Sequence, residues 1–138
     1  MEISWQLDPE FDADPIDPID PMGSFIISEG NTKISTECVY IDSIFYSLAK
    51  GILMLKSSAS YSSDVIDELN SINFNKVGEA VVIEYENQKV SIPNINEAKK
   101  AIFGSFNKFK EETYGTNRKE CEQCYIETEN IIQQFGVS

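Results

Sequence analysis

Histidine is absent from this 138-residue chain and arginine occurs once, at Arg118, so two broad classes of chemistry are disfavoured at the outset. Without an imidazole there is no Ser-His or Cys-His nucleophile system and no histidine general base. Without clustered Lys and Arg there is no stripe that could displace the counterions of a nucleic acid, and an anionic membrane surface is disfavoured for the same reason. None of the seven glycines falls in a phosphate-cradling loop or a dinucleotide fingerprint. No apolar run approaches the ~18 residues of a membrane-spanning helix. The opening "MEISWQLDPEFD" carries acids where a secretory leader carries bases, so the expected compartment is the cytoplasm.

The three cysteines are too few, and odd in number, for a disulfide framework, which again fits a reducing compartment. Cys121 and Cys124 form "CEQC", the spacing of half a zinc site or of a redox dithiol. A zinc site needs further ligands, and the remaining thiol, Cys38, stands alone in a chain with no histidine. A redox dithiol sits at a helix N-terminus, whereas Cys121 and Cys124 fall on the apolar stripe of a predicted helix. Both are therefore expected to be buried and inert, as small hydrophobes. The carboxylates are too numerous to single out a catalytic pair, so no enzyme, cofactor or metal is expected.

What the chain has in excess is negative charge, with 23 Asp and Glu against 11 Lys and Arg for a net −12. The excess is not spread evenly. Residues 1–32 hold Glu2, Asp8, Glu10, Asp12, Asp14, Asp17, Asp20 and Glu29 with no base, leaving 15 acids and 11 bases for the other 106 residues. Within that region "DADPIDPIDP" repeats Asp-Pro-Ile at the three-residue period of polyproline II, which would project Asp14, Asp17 and Asp20 along one edge at about 9 Å intervals and Ile16 and Ile19 along another. Calcium is a competing reading of so many oxygens. It fits poorly, because an EF-hand loop starting at Asp12 would need Gly where Asp17 stands and a bidentate acid where Gly23 stands, and Pro15 and Pro18 stiffen a loop that must curl. A solvated connection with its Ile edge on the domain is the plainer alternative. Like charges this dense repel unless something compensates them, and a cationic partner would do so.

The rest of the chain has the periodicities of a folded domain. "EISWQL" alternates Ile3, Trp5 and Leu7 as a half-buried strand ended by Asp8-Pro9. "GSFIIS", "EGN" and "TKIS" read as a hairpin turning at Gly30 and Asn31. From about Thr36 to Lys56 the spacing of Ile41, Ile44, Phe45, Leu48, Ile52 and Leu55 predicts a central helix. A Ser-rich loop begins at residue 57, and "SDVIDEL" suits a short helix or an edge strand equally. "SINFNKV", "EAVVIEY" and "QKVSI" predict an antiparallel meander with turns at Gly78 and Asn87, covered by the Ile41 to Leu55 helix. Asn94 and Glu97 open a helix bearing Ile95, Ala98, Ile102, Phe106 and Phe109 and ending near Gly115. A last helix, about Asn117 to Phe135, carries Cys121, Cys124, Tyr125, Thr128, Ile132 and Phe135.

Strands adjoining strands predict an α+β fold, a mainly antiparallel sheet of about six strands with about three helices packed on one face. The expected organisation is a single domain over residues 1–138, with an acidic Pro-rich segment at 8–22. In size, charge and layout, from "SWQLDPEFD" through "ECVYIDSIFYSLAKGILML", the chain resembles the immunity proteins of bacterial contact-dependent growth inhibition and related polymorphic-toxin systems. The resemblance implies a stoichiometric inhibitor that binds a cognate secreted toxin, often a basic nuclease, and occludes its active site. The expected partner-binding residues are the acids Asp8, Glu10, Asp12, Asp14, Asp17 and Asp20, with Phe11, Ile16 and Ile19 as apolar anchors among them. The alternative is an adaptor or structural module that docks some other cationic protein.

Overall fold

The computed structural model describes residues 1–9, 21–65, 68–113 and 123–136. Two antiparallel sheets and three helices make up the fold. The first sheet is β1 (Glu2–Leu7), β2 (Met22–Glu29) and β3 (Thr32–Tyr40), in that spatial order. The second is β4 (Ser60–Ser63), β5 (Ile72–Val77), β6 (Ala80–Tyr85) and β7 (Gln88–Ile92), again in chain order. The helices are α1 (Ile41–Met54), α2 (Ile95–Thr113) and α3 (Gln123–Gln133). The α+β class and the antiparallel meander over residues 72–92 agree with the sequence. There is one strand more than expected, and the strands divide into two ladders rather than one.

The turns follow from local chemistry. Gly30 takes φ +57° between Glu29 and Thr32, and Gly78 takes φ +63° between Val77 and Ala80. Between Tyr85 and Gln88 both turn residues, Glu86 and Asn87, are left-handed at +48° and +63°, the geometry that matches the right-handed twist of a tight hairpin. Glu97 N–H donates to Asn94 Oδ1 at 3.0 Å, the cap expected at the start of α2. At the middle of that helix Gly104 is exposed, and a Cβ there would meet nothing within 4 Å. Gly104→Ala is accordingly expected to raise stability by about 0.5–1 kcal/mol, seen as an upward shift of the thermal midpoint. An unchanged or lower midpoint would contradict it.

The expected helix from about Thr36 begins instead at Ile41, because Thr36 and Val39 pair with Phe25 and Gly23 of β2. Strand passes directly into helix at Tyr40, and Ile41 N–H donates to Pro21 O at 2.9 Å. Beyond that point the predicted stripe holds: Ile41, Ile44, Phe45, Leu48, Ile52 and Leu55 are all buried. Ser43, Ser47, Ala49 and Gly51 are buried too, so α1 is enclosed on more than one side and packs against β2, β3, β4, β5, α2 and α3. Gly51 is what lets it approach the second sheet, since a Cβ there would lie 2.1 Å from Phe74 Cε1.

The Ser-rich stretch expected to be a loop contains an edge strand instead: Ser60 to Ser63 form β4, paired to Asn75 through Ile72, whereas Asp64, Val65, Glu68 and Leu69 of "SDVIDEL" are neither helix nor strand and residues 66 and 67 lie outside the described residues. The two sheets meet where β3 runs beside β7. No backbone ladder joins them there. The Gln88 amide does so instead, accepting from Ser35 N–H at 2.9 Å and donating to Ser35 O at 3.0 Å, as a neighbouring strand would. The apolar faces of both sheets and all three helices share one buried cluster.

Candidate functional site

The acidic segment is rooted in the first sheet. Asp8 N–H donates to Met22 O at 2.9 Å, and the Pro21 carbonyl receives Ile41 N–H at the same distance. Both ends of the segment are thus tied to β2 and to the first residue of α1. Of the expected partner-binding residues only Asp8 is described, exposed at the end of β1. Glu10, Phe11, Asp12, Asp14, Ile16, Asp17, Ile19 and Asp20 lie outside the described residues, as does the polyproline II geometry expected of them.

Beside Asp8 the structure brings residues that the sequence did not single out. Between the pairs Gly23 with Val39 and Phe25 with Thr36, Ser24 alone faces Glu37 and Cys38, a β-bulge. Cys38 absorbs it at φ +56°. Leu7, Asp8, Pro9, Gly23, Glu37 and Cys38 border a shallow concavity of about 220 Å³ at the foot of the segment. Asp8 and Glu37 are both exposed there, and neither has an ion-pair partner among the described residues. Among the described residues the ion pairs of the Met1 amino group with Glu29 and of Lys110 with Glu129 involve no residue of the foot. Nothing in the linear sequence marks Glu37 or Cys38, because the bulge that turns them outward is set by the register against β2.

The cysteine expectation is revised in part. Cys124 is half-buried near the start of α3, its Sγ 3.6 Å from Asp42 O, while Cys38 is exposed. Cys121 lies outside the described residues. Among the described residues no cluster of three or more Cys, Asp or Glu could hold a metal ion. No helix among them is long and apolar enough to cross a membrane.

A second anionic concavity lies on the other sheet. Asn70, Ser71, Asn73, Glu84, Glu86 and Asn87 line about 370 Å³ next to the β6–β7 turn. On the core-facing side of β6, opposite Glu84, Tyr85 is 2% exposed, and its hydroxyl has no hydrogen-bond partner of strict geometry among the described residues. Burial first, then the nearby Glu68 and Glu86 carboxylates, push the phenol well above its ordinary pKa, so it stays a neutral O–H. The Glu86 carboxylate approaches the phenol loosely, near enough to favour the neutral O–H both by its charge and as an acceptor, though outside strict hydrogen-bond geometry.

The chain matches no family model, no curated protein and no solved structure at a level that would show a relationship.

Proposed function

We propose that this protein is an immunity protein, which binds a cognate secreted toxin domain in the cytoplasm and occludes its active site. The observation that carries the reading is the concentration of eight acids and no base in residues 1–32. Its support in the fold is that the acidic segment is held at both ends beside Asp8 and Glu37, which are exposed and have no ion-pair partner among the described residues. A toxin that cuts nucleic acid must present Lys and Arg to phosphates, and an anionic surface competes for those same groups. A standard interface buries about 800 Å² per partner and needs apolar anchors as well as charge, the role given to Phe11, Ile16 and Ile19. Such a protein acts by stoichiometry, with no turnover of its own.

The reading expects a large secreted protein with a variable C-terminal domain to be encoded immediately upstream, and the test uses that domain, expressed as an inactive variant. Changing Asp12, Asp14, Asp17 and Asp20 together to Asn is expected to slow association about tenfold or more at low salt and to flatten its salt dependence. The thermal midpoint should not fall, because mutually repelling charges are being removed. Ile16→Ala and Ile19→Ala should instead speed dissociation. An association rate that does not change in the Asn variant reduces the segment to a solvated connection and removes the reading.

A further inference from the structure

The strands run in the order β1-β2-β3 in one sheet and β7-β6-β5-β4 in the other, with β3 beside β7, so β1 and β4 stand at opposite ends of the order. β4 is laddered to β5 on one side, and no described strand pairs with its other side. The direction of its free backbone groups follows from the register. Lys76 N–H donates to Ala59 O at 2.8 Å, which makes Ala59 and Lys76 a hydrogen-bonded pair continuing the ladder of Ser60 with Asn75. Bonded and open pairs alternate in an antiparallel ladder, so Tyr61 and Ser63 bond to β5 while the N–H and C=O groups of Ser60 and Ser62 point away from it. Both serines are exposed. Ser58 Oγ donates to Ser60 O at 2.7 Å, which occupies one lone pair of that carbonyl and leaves the other. Past Ser63 the edge closes, where Ser47 Oγ donates to Asp64 O.

An edge strand is normally guarded by charge, proline or a bulge. Residues 57 to 63, "SSASYSS", contain no charge and no proline, and β4 pairs with β5 without a register shift. The surroundings of this edge are complementary to themselves. Lys56 and Lys76 are exposed at one end of it and Asp64 at the other. Val77 and Leu69, the large apolar side chains that stand exposed among the described residues, divide between the same two ends, Val77 after Lys76 and Leu69 in the connection from β4 to β5. An antiparallel copy related by a two-fold axis sets the lysine end against the Asp64 end, and the Val77 end against the Leu69 end, twice over.

We propose that β4 pairs with β4 of a second copy of this chain, joining two four-stranded sheets into one of eight strands. Ser60 of each copy faces Ser62 of the other, each such pair exchanging two main-chain hydrogen bonds, and Tyr61 meets its counterpart across the axis. The edge is only four residues long, so the contact belongs to the weak end of specific interfaces. A net charge of −12 on each copy opposes it at low salt. β1 and the root of the acidic segment stay at the outer end of each copy, so the pairing is independent of the toxin reading.

Sedimentation equilibrium of the intact protein tests this at concentrations from about 0.05 to 1 mM, in about 0.05 and 0.5 M NaCl. The average mass should climb with concentration from 15.6 kDa toward double that value, and climb further at the higher salt, which screens the repulsion. Ser62→Pro removes an outward N–H from each copy and no bond to β5, and should weaken dimerisation about tenfold or more. Ser62→Ala keeps the N–H and loses only the hydroxyl bond to Asn73, so it should dimerise as the wild type does. Should proline disturb β4 itself, charged variants decide: Ser60→Lys with Ser62→Lys, and Ser60→Glu with Ser62→Glu, should each be monomeric and should associate when mixed. A protein that is monomeric throughout, charged variants that do not associate on mixing, or a dimer indifferent to both Ser62→Pro and the lysine variant overturns the proposal. So does a Ser62→Pro effect confined to binding of another protein while the free chain is a monomer, since the edge would then serve a foreign strand.

Discussion

Phe45→Ala is expected to lower the unfolding free energy by about 3–5 kcal/mol, the usual cost of emptying a buried phenylalanine site. Phe45 is completely buried on α1, and its ring meets Trp5 at 5.5 Å, Phe25 at 5.3 Å, Phe106 at 5.5 Å and Phe109 at 5.1 Å between centroids. Those partners come from β1, β2 and α2, so one side chain joins the first sheet to two helices. Several of the contacts are edge-on, the geometry that adds to simple burial. The hole left by alanine would be lined by rings that are themselves locked by neighbours and cannot collapse into it. Against a typical total of about 5–15 kcal/mol the loss is a large share, and the variant should be partly unfolded at 37 °C. Urea denaturation measures it directly. A loss under about 1.5 kcal/mol would mean that the cluster repacks, contrary to what its interlocking implies.

Gly23→Ala should be nearly as damaging, by a different mechanism. A Cβ on Gly23 would stand 2.0 Å from Gln6 O and 3.0 Å from Leu7 Cα, both backbone atoms that no rotamer change can move. To admit the methyl, β1 must separate from β2 where Leu7 pairs with Gly23, which also strains the Asp8 to Met22 hydrogen bond at the root of the acidic segment. A cost of about 3 kcal/mol or more is expected, at the upper end for overpacking. Amide exchange should quicken at Leu7 and Asp8 before it does in the second sheet. If alanine is tolerated with unchanged exchange, the close approach of the two strands is not required. Gly104→Ala, where the space is open, is the contrasting control.

Much of the fold is legible in the order of residues because its signals are local. The apolar spacing along α1 and along Ala98, Ile102, Phe106 and Phe109 names buried positions correctly, and Gly30, Gly78 and Asn87 mark real turns. Asn94 caps the helix that it precedes in sequence. The misreadings are all non-local. Thr36 to Tyr40 carry a helical spacing continuous with α1, yet they extend as strand because β2 lies alongside to pair with them. "SYSS" has no apolar alternation and becomes a strand only through its ladder to β5. The concavity at the foot of the acidic segment is legible in the same uneven way: charge marks Asp8 in the sequence, but nothing marks Glu37 or Cys38, since a bulge is a property of two strands and their register.

By itself, then, the sequence determined composition-level properties and local structure: the acidity and its crowding into residues 1–32, the absence of an imidazole, the α+β class, the apolar stripes of the helices and the turns. These depend on residue type and on spacings of a few residues, within which backbone sterics and periodicity act. Only the tertiary structure decided that the strands split into two sheets bridged by the Gln88 side chain, that α1 is enclosed between them, and that Tyr85 is buried with its hydroxyl unsatisfied. Each of those depends on which groups far apart in the chain come within hydrogen-bonding distance or fail to. Pairwise satisfaction of that kind is settled by packing the whole molecule, because a donor or an enclosed face has no energetic meaning until its surroundings are in place.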